Sequence, residues 1–187
     1  MEPKMTTKQL ASAAMGIALI TVCSWISVPT AVPFTLQTFA ICLISALFGL
    51  KPALCTVGGY ILLGAIGVPV FSGFRGGPGV LLGTTGGYII GFLLTAAAVG
   101  FTVRKRGRKR AALFLSMSAG ILLCYAFGTV WFMIVYTRKT GAISFGTALS
   151  WCVIPFLIPD GLKALLAAGL AGRLYPILKK GNLISYD

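Results

Sequence analysis

Residues 81–136 read LLGTTGGYIIGFLLTAAAVGFTV, then RKRGRKR at 104–110, then AALFLSMSAGILLCYAFGTVWFMIVY. Two apolar runs, each long enough to cross about 30 Å of hydrocarbon at about 1.5 Å per helical residue, flank a dense cationic break. That alternation predicts a helical hairpin in a bilayer, with its turn held on one side by charge. The rest of the chain agrees: 187 residues are 57% hydrophobic and 10% charged, with a mean hydropathy of +0.94. Soluble domains run at about 45–50% apolar and about a quarter charged. At about 20 residues per span, about six spans would use most of the length and leave no room for a separate soluble catalytic domain. The expectation is an all-α integral membrane protein folded as a single transmembrane domain over residues 1–187.

Apolar runs punctuated by Pro, Gly and charge give spans at 8–28, 35–50, 52–68, 81–103, 111–136 and 159–178. Gly49 to Pro52 reads as a tight connection, with Gly at a helix end and Pro opening the next helix. Placing both termini in the cytoplasm puts twelve of the 16 Lys and Arg inside, among them Lys4, Lys8, Lys51, the 104–110 run, Arg173, Lys179 and Lys180. Arg75, Arg138 and Lys139 fall outside, and Lys163 lies within the last span. This asymmetry orients the protein and accounts for its net charge of +13. The 104–110 run has no aromatic residues interleaved for base stacking, so it reads as a topology anchor meeting anionic lipid, with docking of a cytoplasmic partner a compatible second reading, and not as a nucleic-acid site.

Much chemistry is excluded by residue type. There is no His, and the three acids are Glu2, Asp160 and Asp187. Paired-carboxylate catalysis, His-based nucleophile triads, His/Glu zinc sites and Asp/Glu/His proton relays therefore lack their parts. No Lys stands between Gly and Ser or Thr, so the Walker phosphate loop is missing, and Gly76-Gly77-Pro78-Gly79 lacks the context of a dinucleotide fingerprint. The five cysteines, Cys23, Cys42, Cys55, Cys124 and Cys152, are embedded in apolar runs and read as packing residues. Leu19 to Cys23 approaches a lipid-attachment box, but Val22 stands where a small residue is needed, so the stretch counts as part of the first span.

The outward connections, 28–34, 69–80 and 137–158, carry the unusual features. The last is apolar enough, with Ile143, Phe145, Leu149, Trp151 and Phe156, to fold back as a lid or interfacial helix. Pro159 suits the first position of a helix, which would put Asp160 in the first turn, near the positive end of the dipole, with Lys163 on the same face. One reading is a structural ion pair with Lys163 snorkelling to the interface. The other is a ligand site, Asp160 accepting from donors and Lys163 meeting an anionic group, since ionisable residues inside a span mark functional sites. Gln37, Arg75 and Tyr88 are further candidates; a structural amide bond, a solvated cation and an interfacial aromatic explain them equally well. In the first span Ala11, Ala14, Ala18, Ser12 and Gly16 form small-residue faces suited to close helix packing, within the protein or against a partner.

Four stretches resemble the BioY family, the biotin-specific substrate-binding subunits of energy-coupling factor (ECF) transporters. They are Val32-Pro33-Phe34-Thr35-Leu36-Gln37-Thr38, Gly67-Val68-Pro69-Val70-Phe71, Leu82 to Phe92, and Pro155 to Lys163. The resemblance covers essentially the whole chain, with Thr84 departing from the Pro more usual there. It implies a bundle of about six helices in the cell membrane that captures biotin from outside as a transported ligand, with no cofactor and no enzymatic activity. It implies as partners a membrane coupling protein, engaged through Ala14 and Ala18, and a pair of cytoplasmic ATPases. Asp160 and Lys163 match the family's ligand-binding positions. Uptake of another water-soluble vitamin, or a small lipid-modifying intramembrane enzyme using Asp160 as base, are the competing functions.

Overall fold

A computed structural model describes residues 7–181; Glu2, Lys4 and Asp187 lie outside the described residues. Helix α1 spans Thr7–Trp25 and leads into a two-stranded antiparallel hairpin, β1 (Ser27–Val28) with β2 (Phe34–Thr35). Then follow α2 (Gln37–Phe48), α3 (Leu50–Ala65), the short α4 (Pro78–Leu81), α5 (Gly86–Arg106), α6 (Arg110–Lys139), α7 (Phe145–Cys152) and α8 (Ile154–Lys180).

Among the described residues four helical segments are long and apolar enough to cross a membrane: α1, α5, α6 and the nearly continuous stretch Phe145–Lys180. The spans expected at 35–50 and 52–68 are shorter, 12 residues in α2 and 16 in α3. At 1.5 Å per residue α2 is only about 18 Å long. It is buried along nearly its whole length, packed against α1, α3, α5, α6 and α8, so it serves as the central post of the bundle. A short central helix would leave its last carbonyls unsatisfied in an apolar interior. Arg108 resolves this, with Nε donating to the Ala46 carbonyl at 2.9 Å and Nη2 to that of Leu47 at 3.2 Å. The same guanidinium lies 3.5 Å from the centroid of the Tyr175 ring, so one residue of the basic run ties α2 to α8. Gly49, at φ 80°, is shared between α2 and α3 and makes the expected tight connection.

The hairpin of α5 and α6 packs closest, and glycines on both helices explain why. A Cβ on Gly91 would stand 2.9 Å from the Cys124 sulfur, on Gly120 2.9 Å from Thr95 Cα, and on Gly128 2.3 Å from the Tyr88 ring. Missing side chains on each helix receive the other helix's backbone or ring, the small-residue packing that apolar surroundings favour. Polarity is distributed as a lipid solvent demands. Leu94, Phe101, Leu115, Leu122 and Ile134 face outward, while Ser24, Ser45, Thr56, Thr95 and Thr129 are buried and the first four of them donate to carbonyl oxygens.

The expected boundaries move by about one to five residues, α3 for instance opening at Leu50 and not at Pro52, and three of the shifts bear on the site. The first span ends at Trp25, because residues 27–28 pair with β2. The fourth starts at Gly86 and not at 81: the chain breaks into a turn over 82–85, and a Cβ on Gly86 would lie 1.6 Å from the Leu81 carbonyl oxygen. The Gly83 carbonyl in that turn accepts from Gly86 N and from Trp131 Nε1. The last span begins at Ile154, with a proline in its first turn, so Pro159 lies inside the helix and Asp160 in its second turn. Helix-dipole stabilisation of Asp160 therefore does not apply, since that effect is confined to the first turn.

Candidate functional site

At the end of the bundle opposite Arg108, the β1–β2 hairpin, the 66–85 connection and α7 meet the ends of α2, α5, α6 and α8 around a cavity of about 80 Å³. The segment expected to fold back as a lid or interfacial helix forms α7, capped by Ser144, whose Oγ accepts from Thr147 N at 3.1 Å. Cys152 at its end lines the cavity, and Trp151 sits edge-on to Tyr136 with centroids 6.0 Å apart.

Asp160 and Lys163 stand in the cavity wall, both buried. They are one helical turn apart on α8 and bond at 2.7 Å, Lys163 Nζ to Asp160 Oδ1. The ion-pair reading is thus correct in its contact, but Lys163 does not snorkel to the interface. Its ammonium turns inward, donating to the Thr35 carbonyl at 2.6 Å and lying 3.9 Å from the centroid of the Phe34 ring. Asp160 also accepts from Thr38 Oγ1 at 3.0 Å and, on Oδ2, from the Tyr125 hydroxyl at 2.5 Å. Two buried charges are tolerated only when paired and hydrogen-bonded, which these contacts achieve. The count still leaves Asp160 an acceptor position on Oδ2 and Lys163 one N–H.

Gln37 opens α2 and lines the cavity. Its amide is held by side chains and not by neighbouring backbone carbonyls: Oε1 accepts from Thr35 Oγ1 at 3.0 Å, and Nε2 donates to Tyr60 at 2.6 Å. Tyr60 in turn donates to the Val70 carbonyl at 3.0 Å, so α2, α3 and the 66–77 loop are joined by one chain of bonds. Tyr88 is a buried wall residue bonded to Thr129 at 2.9 Å, which removes the interfacial-belt reading. Arg75 is exposed at the cavity edge. Its position is fixed by paired backbone bonds with Phe71, whose ring fills the notch at Gly64, where a Cβ would stand 2.0 Å from it. Trp25 clamps the same loop, stacking on Phe74 at 4.9 Å and donating to the Pro69 carbonyl.

Sequence reasoning singled out neither Tyr125, Thr38, Thr35 nor Tyr60 as site residues. Thr35 and Thr38 flank Gln37, and the start of a helix there was the available signal. Tyr125 and Tyr60 sit in apolar runs with no local mark. In the first span the structure chooses between the two small-residue faces. Ser12, Ala13 and Gly16 turn inward, with Gly16 against Thr56 and Phe48, while Ala11, Ala14 and Ala18 are exposed beside Met15, Leu19 and Val22.

With this geometry in place, the comparison with known families is direct: the BioY family model matches residues 1–180. The chain belongs to the BioY family. Within it, a protein described as biotin transporter BioY, from Thermotoga maritima, is 39% identical over 168 residues, 89% of this chain and 95% of that protein. A probable biotin transporter BioY from Pyrococcus horikoshii is 37% identical over 171 residues, 91% of this chain and 98% of its own length. The fold is similar to the crystal structure of an S-component for biotin from an ECF-type ABC transporter, at TM-score 0.79 and 26% identity, covering 91% of this chain and 94% of that one. This BioY-family chain is thus a multi-pass membrane protein with an S-component bundle, and its long apolar helices agree with that.

Proposed function

We propose that the chain captures biotin in this cavity, as the substrate-binding subunit of an ECF-type transporter in the cell membrane. Family membership and the S-component fold support the assignment, and the observation that carries the site is the buried Asp160–Lys163 pair, with hydrogen-bonding capacity left over, in a cavity otherwise rich in aromatic and aliphatic side chains. Biotin suits such a wall. Its ureido N–H groups are donors for Asp160, its rings and valerate chain pack on Phe71, Phe92 and Phe156, and its carboxylate needs a cation. Lys163 and, at the edge, Arg75 are the cations available; Gln37 and Tyr88 complete the polar and aromatic wall.

Capture requires no chemistry from this chain, and release to the cytoplasm is driven by partners, a membrane coupling protein and a pair of ATPases. The exposed Ala14 and Ala18 of α1 are the small-residue face offered to the coupling protein. The test is radiolabelled biotin binding to purified full-length protein. Asp160→Ala and Lys163→Ala should each abolish tight binding; retention of parental affinity by both variants would overturn the site, and displacement by another vitamin but not by biotin would overturn the ligand.

A further inference from the structure

Between Thr7 and Gly181 the one acidic residue is Asp160, bound into the outer cavity. The cations at the other end of the bundle therefore have no acidic side chain among the described residues to neutralise them. There, beside the turn at Gly107, a groove of about 380 Å³ opens between the last turns of α5 and the first turns of α6. Lys105 and Arg106 lie at its end, Thr102, Ala112 and Ser116 lie deeper, and the exposed Phe101 and Leu115 form its apolar sides. The Lys105 ammonium stands 4.5 Å from the Phe101 ring centroid, so charge and apolar surface are continuous. Leu94 lies seven positions before Phe101, and Leu122 seven after Leu115, so each pair shares a helix face. All four are exposed. The result is a cationic end joined to an outward apolar strip that runs along the two helices for about 10 Å.

We propose that this groove holds one anionic glycerophospholipid of the cytoplasmic leaflet. Its phosphate meets Lys105 and Arg106, and an acyl chain lies on the strip from Phe101 and Leu115 towards Leu94 and Leu122. Charge complementarity selects an anionic head group, and the strip selects a lipid over a free phosphate, which has nothing to place on it. A cytoplasmic protein partner would use the cations but not the membrane-facing leucines.

Full-length protein in nanodiscs of phosphatidylcholine with phosphatidylglycerol is released into detergent and weighed by native mass spectrometry. The expected result is one retained phosphatidylglycerol per chain. Lys105→Gln with Arg106→Gln should reduce retention at least fivefold, and Leu115→Trp should do so with the charge intact. Lys51→Gln with Lys180→Gln should leave retention unchanged, and biotin binding by every variant reports that the fold survives. Equal losses in the control pair would make the effect bulk charge and overturn the site. Displacement of the lipid by glycerol 3-phosphate at micromolar concentration would make it a free-phosphate site. Unchanged lipid retention in the 105/106 variant, with loss of coupling-protein association, would make the patch a protein surface. Either result would overturn the proposal.

Discussion

The Tyr125 hydroxyl on α6 donates to Asp160 Oδ2 on α8 at 2.5 Å, filling one acceptor position on the oxygen that Lys163 and Thr38 do not use and leaving the other for a ligand. A phenol in an apolar run thereby becomes part of a buried charge site, held by the packing of α6 against α8.

Tyr125→Phe removes this bond and little volume. A hydrogen bond to a charged group contributes about 1.5 kcal/mol or more, so biotin affinity should fall about tenfold with the fold intact. Isothermal titration of the detergent-solubilised protein measures it, and unchanged affinity would show that Tyr125 does not orient Asp160 for ligand.

The ion pair makes an asymmetric prediction. Lys163→Met leaves Asp160 buried without its cation and should destabilise the protein by about 3–5 kcal/mol, whereas Lys163→Met combined with Asp160→Asn should recover most of that. Thermal unfolding separates stability from function, since both variants should lose biotin. A single variant as heat-stable as the parent would contradict the mutual dependence.

Gly64 and Gly58 lie on the same helix and should behave oppositely. Gly64→Ala drives a Cβ into the Phe71 ring, whereas a Cβ on Gly58 meets nothing within 4 Å. Gly64→Ala should cost about 1–3 kcal/mol, loosen residues 66–77 to proteolysis and speed biotin release. Gly58→Ala should be neutral or slightly stabilising.

On α1 the two small faces give a similar contrast. Ala14→Leu with Ala18→Leu alters only exposed positions, so it should leave biotin binding intact and stop uptake when the coupling protein and ATPases are co-expressed. Gly16→Leu instead meets Thr56 and Phe48 and should lower the unfolding temperature of the isolated chain. Full uptake by the Ala14/Ala18 variant would remove this face from the coupling interface.

Much of this protein was legible one residue at a time. Hydropathy set the membrane as solvent, the cationic run between two apolar stretches set the α5–α6 hairpin, and the scarcity of acids left Asp160 alone inside a span. These are local or additive properties, and transfer into lipid depends on them directly. Pro159 suits a helix start by local rules, yet packing carries α8 through it from Ile154.

Only tertiary structure decided what surrounds Asp160. Thr38, Tyr125 and the Thr35 carbonyl reach the pair from separate elements, brought there by the packing of α2 and α6 against α8. It also decided that Lys163 turns inward, that Arg108 finishes the short α2, and which small face of α1 stays open. A buried polar group must be satisfied by whatever neighbour the fold supplies, and no residue's own sequence context names that neighbour.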